Sequence, residues 1–310
     1  MWNGFGELCA LSAAAVWALA ILCFKRSGER ISPVALNLFK NAVAIVLLAV
    51  TLPLTKGGLA ALGGASAYDL VILAISGIIG ISIADTLFFR GLNLCGVGLV
   101  SIVDCSYTPF TLFFSWLLLG EQLTPLQYVG VLLVLSGVLV STRHAPPPGR
   151  TRVQLLSGIL MALSAMACMA VGIVMAKPVL TQWPTVPAAA VRIFAGTLVL
   201  VPFTLMLRER AEIWRVFVPS RAWRAAVPGS VLGAYVSLLL WIAGFQYTRA
   251  AAVAAVLNQT STVFALLLAT LVLREPLGGR KLAAVSLALS GVLMVTLHEW
   301  VSAGLSRLWG

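Results

Sequence analysis

Long apolar stretches alternate with short polar segments along almost the whole chain. Each stretch has about 20 residues, which as an α-helix is long enough to cross the hydrocarbon core of a bilayer. Charged residues fall mostly in the short segments between the stretches. The pattern predicts ten membrane-spanning helices, which we number in chain order: Glu7–Phe24, Pro33–Pro53, Leu70–Leu92, Val97–Leu119, Pro125–Thr142, Gln154–Ala176, Pro187–Leu207, Trp223–Phe245, Ala250–Leu273 and Arg280–Leu297.

The composition indicates a multi-pass membrane protein rather than a soluble domain. Of the 310 residues, 60% are hydrophobic and only 10% are charged, whereas about 25% are charged in a typical soluble domain. The formal net charge of +11 does not indicate nucleic-acid binding, because arginines in short loops between membrane helices are what the positive-inside rule predicts. We expect a protein of the inner membrane whose partners are the lipid bilayer and a small-molecule substrate.

Motifs for catalysis, nucleotide binding or metal binding are missing from the sequence. It has no HExxH, no P-loop and no Cys/His cluster, and its five cysteines lie in or beside apolar stretches without CxxC spacing. Such cysteines are typical small packing residues. We therefore predict no enzyme activity, no metal and no cofactor, so any energy for the protein's work comes from an ion gradient or from the substrate's own gradient.

A proline-rich linker divides the chain into two similar halves. Residues 143–153 contain three consecutive prolines and three arginines, and such a segment cannot continue a helix. Five predicted spans precede it and five follow it. The predicted domains are a first repeat over 6–142, the linker over 143–153, a second repeat over 154–298 and a tail over 299–310.

The two halves share short sequences at an offset of 154 positions. Gly120–Leu123 (GEQL) aligns with Arg274–Leu277 (REPL), and the sequence LSGVL occurs at both Leu135–Leu139 and Leu289–Leu293. Because five is odd, the second half must enter the membrane from the opposite side. The predicted fold is an all-α membrane protein with ten transmembrane helices in two inverted five-helix repeats, and such repeats place a substrate site between the halves near the midplane.

The layout resembles the drug/metabolite transporter superfamily, and specifically its ten-span EamA-type members. The resemblance rests on the short turn between spans three and four, on Pro109 within span four, on the two glutamate motifs around Glu121 and Glu275, and on the repeated SGV sequence. It implies a secondary transporter or exporter of small metabolites that works by alternating access, as a monomer or a homodimer. Val263 stands where the first half has Pro109, which leaves a kink in span nine open.

The charge distribution predicts an orientation in the membrane. Fifteen of the 21 lysines and arginines lie in or beside loops that follow odd-numbered spans, and four lie in the other loops or the tail. The positive-inside rule then predicts that the odd-numbered loops are cytoplasmic and that both termini are outside. Ten-span members of the family that the chain resembles are usually drawn with the termini inside.

Charged and amide side chains inside the predicted spans of the first half are the first candidate substrate ligands. Asp85 and Asp104 each lie about eight residues from the short turn, and therefore about 10–12 Å from the same membrane surface. Lys40, Asn37 and Asn41 of span two reach a similar depth. Intramembrane ionisable groups are costly unless they face protein, water or a partner, so we expect them to face a functional site.

The second half offers a more neutral set of candidates. Arg192 lies early in span seven, and Asn258 and Gln259 lie early in span nine, with Asn258 at the position equivalent to Asp104. Tyr107 and Trp241 are candidate cavity walls. Membrane-embedded Lys40 and Arg192 suggest a substrate with a carboxylate, such as an amino acid, and the two aspartates suggest possible coupling to protons.

Several structural interpretations compete with these functional ones. Lys40 with either aspartate forms an ion pair that only holds helices together. Two aspartates on adjacent spans also occur in intramembrane aspartyl proteases, but neither Asp85 nor Asp104 has the Gly-x-Gly-Asp context of those enzymes. A membrane sensor or scaffold without transport is the remaining alternative. We expect Glu121 and Glu275 to cap the helix that follows each of them or to fix its loop.

Overall fold

The computed structural model describes residues 5–55, 57–120, 122, 124–142, 149–180, 182–247, 257–275 and 278–296, and these residues form helices and connecting turns without strands. The α-helices are α1 (Phe5–Gly28), α2 (Pro33–Thr51), α3 (Gly58–Gly63), α4 (Ala67–Gly77), α5 (Ala84–Cys95), α6 (Val97–Asp104), α7 (Tyr107–Leu119), α8 (Pro125–Thr142), α9 (Arg152–Leu180), α10 (Thr185–Met206), α11 (Arg210–Trp214), α12 (Trp223–Ser230), α13 (Leu238–Tyr247), α14 (Ser261–Val272) and α15 (Gly279–Thr296). Two π-helices, Ile78–Ile83 and Val231–Ser237, and a 3₁₀ turn, Arg215–Phe217, complete the set.

Seven stretches of the described chain are long and apolar enough to cross a membrane, and they correspond to predicted spans one to four and six to eight. Span three runs continuously through α4, a π-helix and α5, and span eight runs through α12, a π-helix and α13. Helices also lie at spans five, nine and ten, as α8, α14 and α15. The chain is thus an all-helical, multi-pass membrane protein, and the count of ten spans stays a prediction.

Local sequence explains where several helices begin and end. Ser32 caps α2, because its hydroxyl accepts a hydrogen bond from the Ala35 amide, and Pro33 occupies the first helical position, where its missing N–H has no consequence. Ser66 caps α4 through the Asp69 amide at 3.0 Å. Gly96 separates spans three and four with φ of 83°, a backbone conformation that glycine adopts at little cost.

Both halves carry a π-helix at the same place in the repeat. The offset of 154 positions superimposes the π-helix Ile78–Ile83 of span three on the last six residues of the π-helix Val231–Ser237 in span eight. π-helices are rare and occur frequently at functional sites. Their appearance at matching positions is a structural counterpart of the sequence repeat.

Span four breaks immediately after Asp104. The Cys105 and Ser106 amides bond to Ile102 and Val103 in tight turns, and α7 begins at Tyr107. Pro109 explains the break, because its ring clashes with the carbonyl of the fourth residue before it.

The kink that the sequence left open in span nine is present in the structure. The Thr260 amide bonds to the Leu257 carbonyl at 3.2 Å, which at the offset of 154 is the equivalent of the Ser106–Val103 bond. No proline is available here, and the Thr260 hydroxyl instead donates to the same carbonyl at 2.5 Å. Such side-chain bonds compete with the helical ladder.

The helices pack in reciprocal pairs across the two halves. Span three packs on span six as span eight packs on span one, and span four packs on span six as span nine packs on span one. Spans five and ten pair with each other. Glycines allow this last contact, because a Cβ on Gly130 would lie 2.7 Å from the Gly291 carbonyl oxygen and one on Gly137 would lie 2.7 Å from the Ala284 carbonyl oxygen. The SGV sequences therefore serve close helix packing.

Candidate functional site

A buried ion pair joins spans two and three. The Lys40 ammonium lies 2.7 Å from Asp85 Oδ2, and the two side chains are only 8% and 14% exposed. Asp85 is the second residue after the π-helix of span three. Within the described part of the chain, Lys40 is the one hydrogen-bond donor to this carboxylate. Both residues lie within the apolar stretches of their spans, where an isolated charge would be costly.

Asn37 fixes the π-helix of span three rather than extending the ion pair. Its Nδ2 lies 2.9 Å from the Ile81 carbonyl oxygen, 3.0 Å from that of Ser82 and 3.0 Å from Thr86 Oγ1. A π-helix shifts the backbone hydrogen-bond pattern, and the Asn37 amide donates to two carbonyl oxygens within this π-helix. Both polar atoms of Asn41 are buried, and neither has a hydrogen-bond partner among the residues described.

Arg192 brings a second cation to the same place from the other half of the chain. The backbone of Arg192 packs directly on Gly77 of span three, and a Cβ on Gly80 would lie 3.5 Å from its Nη2. Asp85 and Tyr107 are its electrostatic neighbours. Its Nε is buried and lacks a hydrogen-bond partner in the described structure. A partly buried guanidinium whose buried Nε has no partner is unusual, because buried charged groups are normally paired and hydrogen-bonded.

Asp104 and Tyr107 complete this group at the break in span four. Asp104 and Arg192 are both electrostatic neighbours of Tyr107. No hydrogen bond or ion pair links Asp104 to another described residue. We call Lys40, Asp85, Asp104, Tyr107 and Arg192 the central cluster. It contains two basic and two acidic side chains, drawn from spans two, three, four and seven.

The remaining predicted site residues lie elsewhere or stay without a described link to the central cluster. Gln259 lines a small apolar cavity of about 120 Å³ between spans nine and ten, with Thr260 and Leu289 among its neighbours. Asn258 lies in the helical turn before Thr260, and Trp241 lies partly buried in α13. The sequence assigned Gln259 to a second-half set that mirrors the first-half candidates from the other side, and its role in a substrate site stays a prediction.

A second polar network, which the sequence analysis missed, surrounds the turn between spans three and four. Lys25 Nζ donates to the Leu92 and Asn93 carbonyl oxygens at 3.1 Å each, and Asn93 Nδ2 donates to the Gly28 carbonyl oxygen at 3.1 Å. These bonds tie the end of span one to the end of span three. A lysine at a helix C-terminus is favourable because it complements the helix dipole.

Glu275 belongs to the same network, and it makes a contact that the sequence did not predict. Its carboxylate caps the N-terminus of span four, through the Val97 amide at 2.8 Å and the Gly98 amide at 3.0 Å. Lys281 pairs with it at 3.1 Å. We call Lys25, Asn93, Glu275 and Lys281 the hinge cluster. The other glutamate of the repeated motif, Glu121, lies outside the described residues.

Gly96 and Gly98 were the sequence signal for the contact with Glu275 and Lys281. A Cβ on Gly96 would lie 2.7 Å from Glu275 Oε1, and one on Gly98 would overlap the Lys281 side chain. Gly98, unlike Gly96, has no positive φ that would require a glycine, and such a glycine indicates a close approach by another part of the chain. The sequence alone did not identify which part approaches.

The two clusters limit the enzymatic interpretation. An aspartyl protease needs two carboxylates that share a proton. Here Asp85 is hydrogen-bonded to Lys40, and no hydrogen bond joins Asp85 to Asp104 among the described residues. The described residues also contain no group of three or more His, Cys, Asp or Glu side chains that could hold a metal ion.

Comparison with known proteins agrees with this architecture. The sequence model of the EamA-like transporter family matches residues 4–143 and 156–297. A protein from Archaeoglobus fulgidus described as an uncharacterized transporter is 24% identical over 287 residues, covering 90% of this chain and 94% of that protein. The uncharacterized transporter YoaV of Bacillus subtilis is 28% identical over 139 residues, covering 44% of this chain and 47% of its own length.

A solved crystal structure also shares the fold. It superposes with a TM-score of 0.65 and 20% sequence identity, over 94% of this chain and 96% of the other. At this identity the likeness extends to the fold alone.

Proposed function

Because the chain belongs to the EamA-like transporter family, we propose that it is a secondary transporter that exports small metabolites with a carboxylate, such as amino acids, across the inner membrane. The proposal rests on the central cluster, in which Arg192 of the second half packs on the π-helix region of span three and Asp85 of the same span pairs with Lys40 of the first half. A site made from both halves changes its access when the halves move against each other.

The charges of the central cluster suit a zwitterionic or anionic substrate. A guanidinium presents several donors in a planar fork that matches a carboxylate, and Arg192 is partly buried with a buried Nε that is unpaired in the described structure. Asp104 has no described cationic partner and is the natural acceptor for a substrate ammonium. Tyr107 begins α7 three residues after Asp104 and is a candidate wall of the same site.

The Lys40–Asp85 pair offers a route to proton coupling. If the substrate carboxylate takes Lys40, then Asp85 loses its described hydrogen-bond donor. A buried carboxylate without a cation is costly, so it is expected to bind a proton. Release of the substrate returns Lys40 to Asp85, and the proton leaves.

We propose that the hinge cluster closes one side of the substrate site in this conformation. It ties the ends of spans one and three to the start of span four and to the loop before span ten. All of these ends follow odd-numbered spans, so they lie on the face that the charge bias predicts to be cytoplasmic. We propose ten spans in two inverted repeats, in which opening towards this face requires the hinge cluster to separate.

The test is flux into liposomes that contain the purified protein, with a panel of labelled amino acids, amines and sugars. Uptake should be confined to substrates with a carboxylate, and Arg192→Gln should reduce it by about 100-fold, as expected for a charged hydrogen bond worth about 3 kcal/mol. Arg210→Gln, which removes an exposed arginine outside the clusters, is the matched control. Equal flux in Arg192→Gln and the control would refute the assignment of the site.

A further inference from the structure

A second cavity lies at the surface, at the ends of spans two and eight. It has a volume of about 430 Å³ and lies between the turn that joins spans one and two and the segment that joins spans seven and eight. Three arginines line it, Arg30, Arg215 and Arg221, with Glu212 as the one acid among the lining residues. Ile31 and Val216 give it a buried apolar wall.

This basic cavity is separate from the central cluster. It meets span two at Ala35, which shares a helical face with Phe39 one turn further on. Phe39 is 3% exposed and packs against Phe217 and Trp223, with ring centroids 5.9 Å and 5.1 Å apart. These rings pack one helical turn beyond the cavity, while the Lys40 side chain bonds to Asp85 of span three.

The charges in the cavity favour an anion. The side chains of its three arginines have no ion pair or hydrogen bond to any other described residue. The N-terminus of α2 also opens here, with its capping Ser32 in the lining, and adds a partial positive charge. With three arginines against one glutamate, the lining has an excess of two positive charges.

The lining residues of the basic cavity and its position in the chain favour one class of anion, a lipid phosphate. Arginine forks bind phosphate oxygens in pairs, and basic pockets between membrane helices at the cytoplasmic side bind lipid headgroups. The rim includes Val218, which is 61% exposed although it is apolar, as expected where acyl chains begin. We propose that the basic cavity binds the phosphate of an anionic phospholipid headgroup.

The test measures the thermal unfolding midpoint of the full chain in neutral detergent during titration with phosphatidylglycerol, phosphatidylcholine or inorganic phosphate. Phosphatidylglycerol at about 100 times its dissociation constant should raise the midpoint by about 5 °C, and phosphatidylcholine and inorganic phosphate should raise it little. The triple variant Arg30→Gln/Arg215→Gln/Arg221→Gln should lose most of the shift. The matched control is Arg208→Gln/Arg210→Gln/Arg224→Gln, which removes the same charge from the same face but outside the cavity, and it should keep the shift.

A second variant, which is expected to strengthen lipid binding rather than weaken it, keeps the test decisive if the triple variant misfolds. Glu212→Gln removes the one acid of the lining and should tighten phosphatidylglycerol binding about threefold, the scale of a partly exposed charge interaction. The proposed site would be refuted if phosphatidylglycerol shifted the unfolding midpoints of the two triple variants equally. It would also be refuted if Glu212→Gln left the phosphatidylglycerol affinity unchanged. A shift produced by inorganic phosphate, and lost only in the cavity variant, would assign the cavity to soluble phosphate and overturn the lipid assignment.

Discussion

Lys40 with Asp85 and Lys281 with Glu275 form two buried ion pairs of the same chemical type. Their distances are 2.7 Å and 3.1 Å, and their side-chain exposures are 8% and 14% for the first pair and 7% and 18% for the second. The surroundings differ. Glu275 also accepts hydrogen bonds from two backbone amides, whereas the described hydrogen bonds to Asp85 come from Lys40 alone.

The difference separates a fixed contact from an exchangeable one. Glu275 lies at a helix N-terminus, where a carboxylate is stabilised by amides that cannot leave. Asp85 has only a flexible lysine and the nearby Arg192. A substrate carboxylate can compete for that lysine without unfolding any backbone. We therefore expect the first pair to take part in transport and the second to hold helix ends together.

The largest expected effect is that of Lys40→Met. It leaves the Asp85 carboxylate buried without its described donor, which should lower the free energy of unfolding by about 3–5 kcal/mol and abolish flux. Thermal unfolding in detergent and flux in liposomes measure the two effects. The double variant Lys40→Met/Asp85→Leu should regain most of the stability but no flux, and recovery of flux would mean that the pair is only structural.

Gly77→Ala should have the next largest effect, because it tests whether Arg192 must lie beside Asp85. The added methyl group would overlap the Arg192 carbonyl oxygen, and overpacking of this kind costs about 1–3 kcal/mol. We expect lower stability together with weaker substrate binding, seen as a raised KM. Gly80→Ala is the control, since its Cβ would meet Arg192 Nη2 at an ordinary 3.5 Å. Similar KM values in the two variants would argue against a role for Arg192.

Lys281→Met should have a smaller effect, although it removes the same charge as Lys40→Met. The Glu275 carboxylate keeps both backbone amides, so the loss should be about 1 kcal/mol, the net value of one hydrogen bond. Thermal unfolding of both lysine variants under the same conditions gives the difference directly. Equal losses would remove the distinction between the two pairs.

Asn93→Ala should have the smallest effect of the four. It removes the Nδ2 bond to the Gly28 carbonyl, while Lys25 still ties span one to span three. We expect a loss of about 0.5–1 kcal/mol and easier opening of the predicted cytoplasmic face, measured as faster labelling of a cysteine introduced at Ser101. Slower labelling would contradict a closing role for the hinge cluster.

The sequence by itself determined the features that depend on neighbouring residues. Hydropathy and length located the helices, because the cost of unpaired backbone in lipid leaves few alternatives. Ser32 and Pro33 determined the start of α2, and Gly96 the turn after span three. The repeat at 154 positions was readable because short identical sequences occur in the same order. The candidates Lys40 and Asp85 followed from the high cost of charge in an apolar span.

Only the tertiary structure decided which distant groups meet. Depth in the membrane placed Lys40 level with two aspartates, but the packing of spans two and three selected Asp85. Glu275 caps a helix 178 positions away, because the ends of two helices from different halves come together there. Helix periodicity determines a face and a depth for each residue, whereas the partner across the interface depends on the rotation and offset of helices that the sequence pattern does not encode.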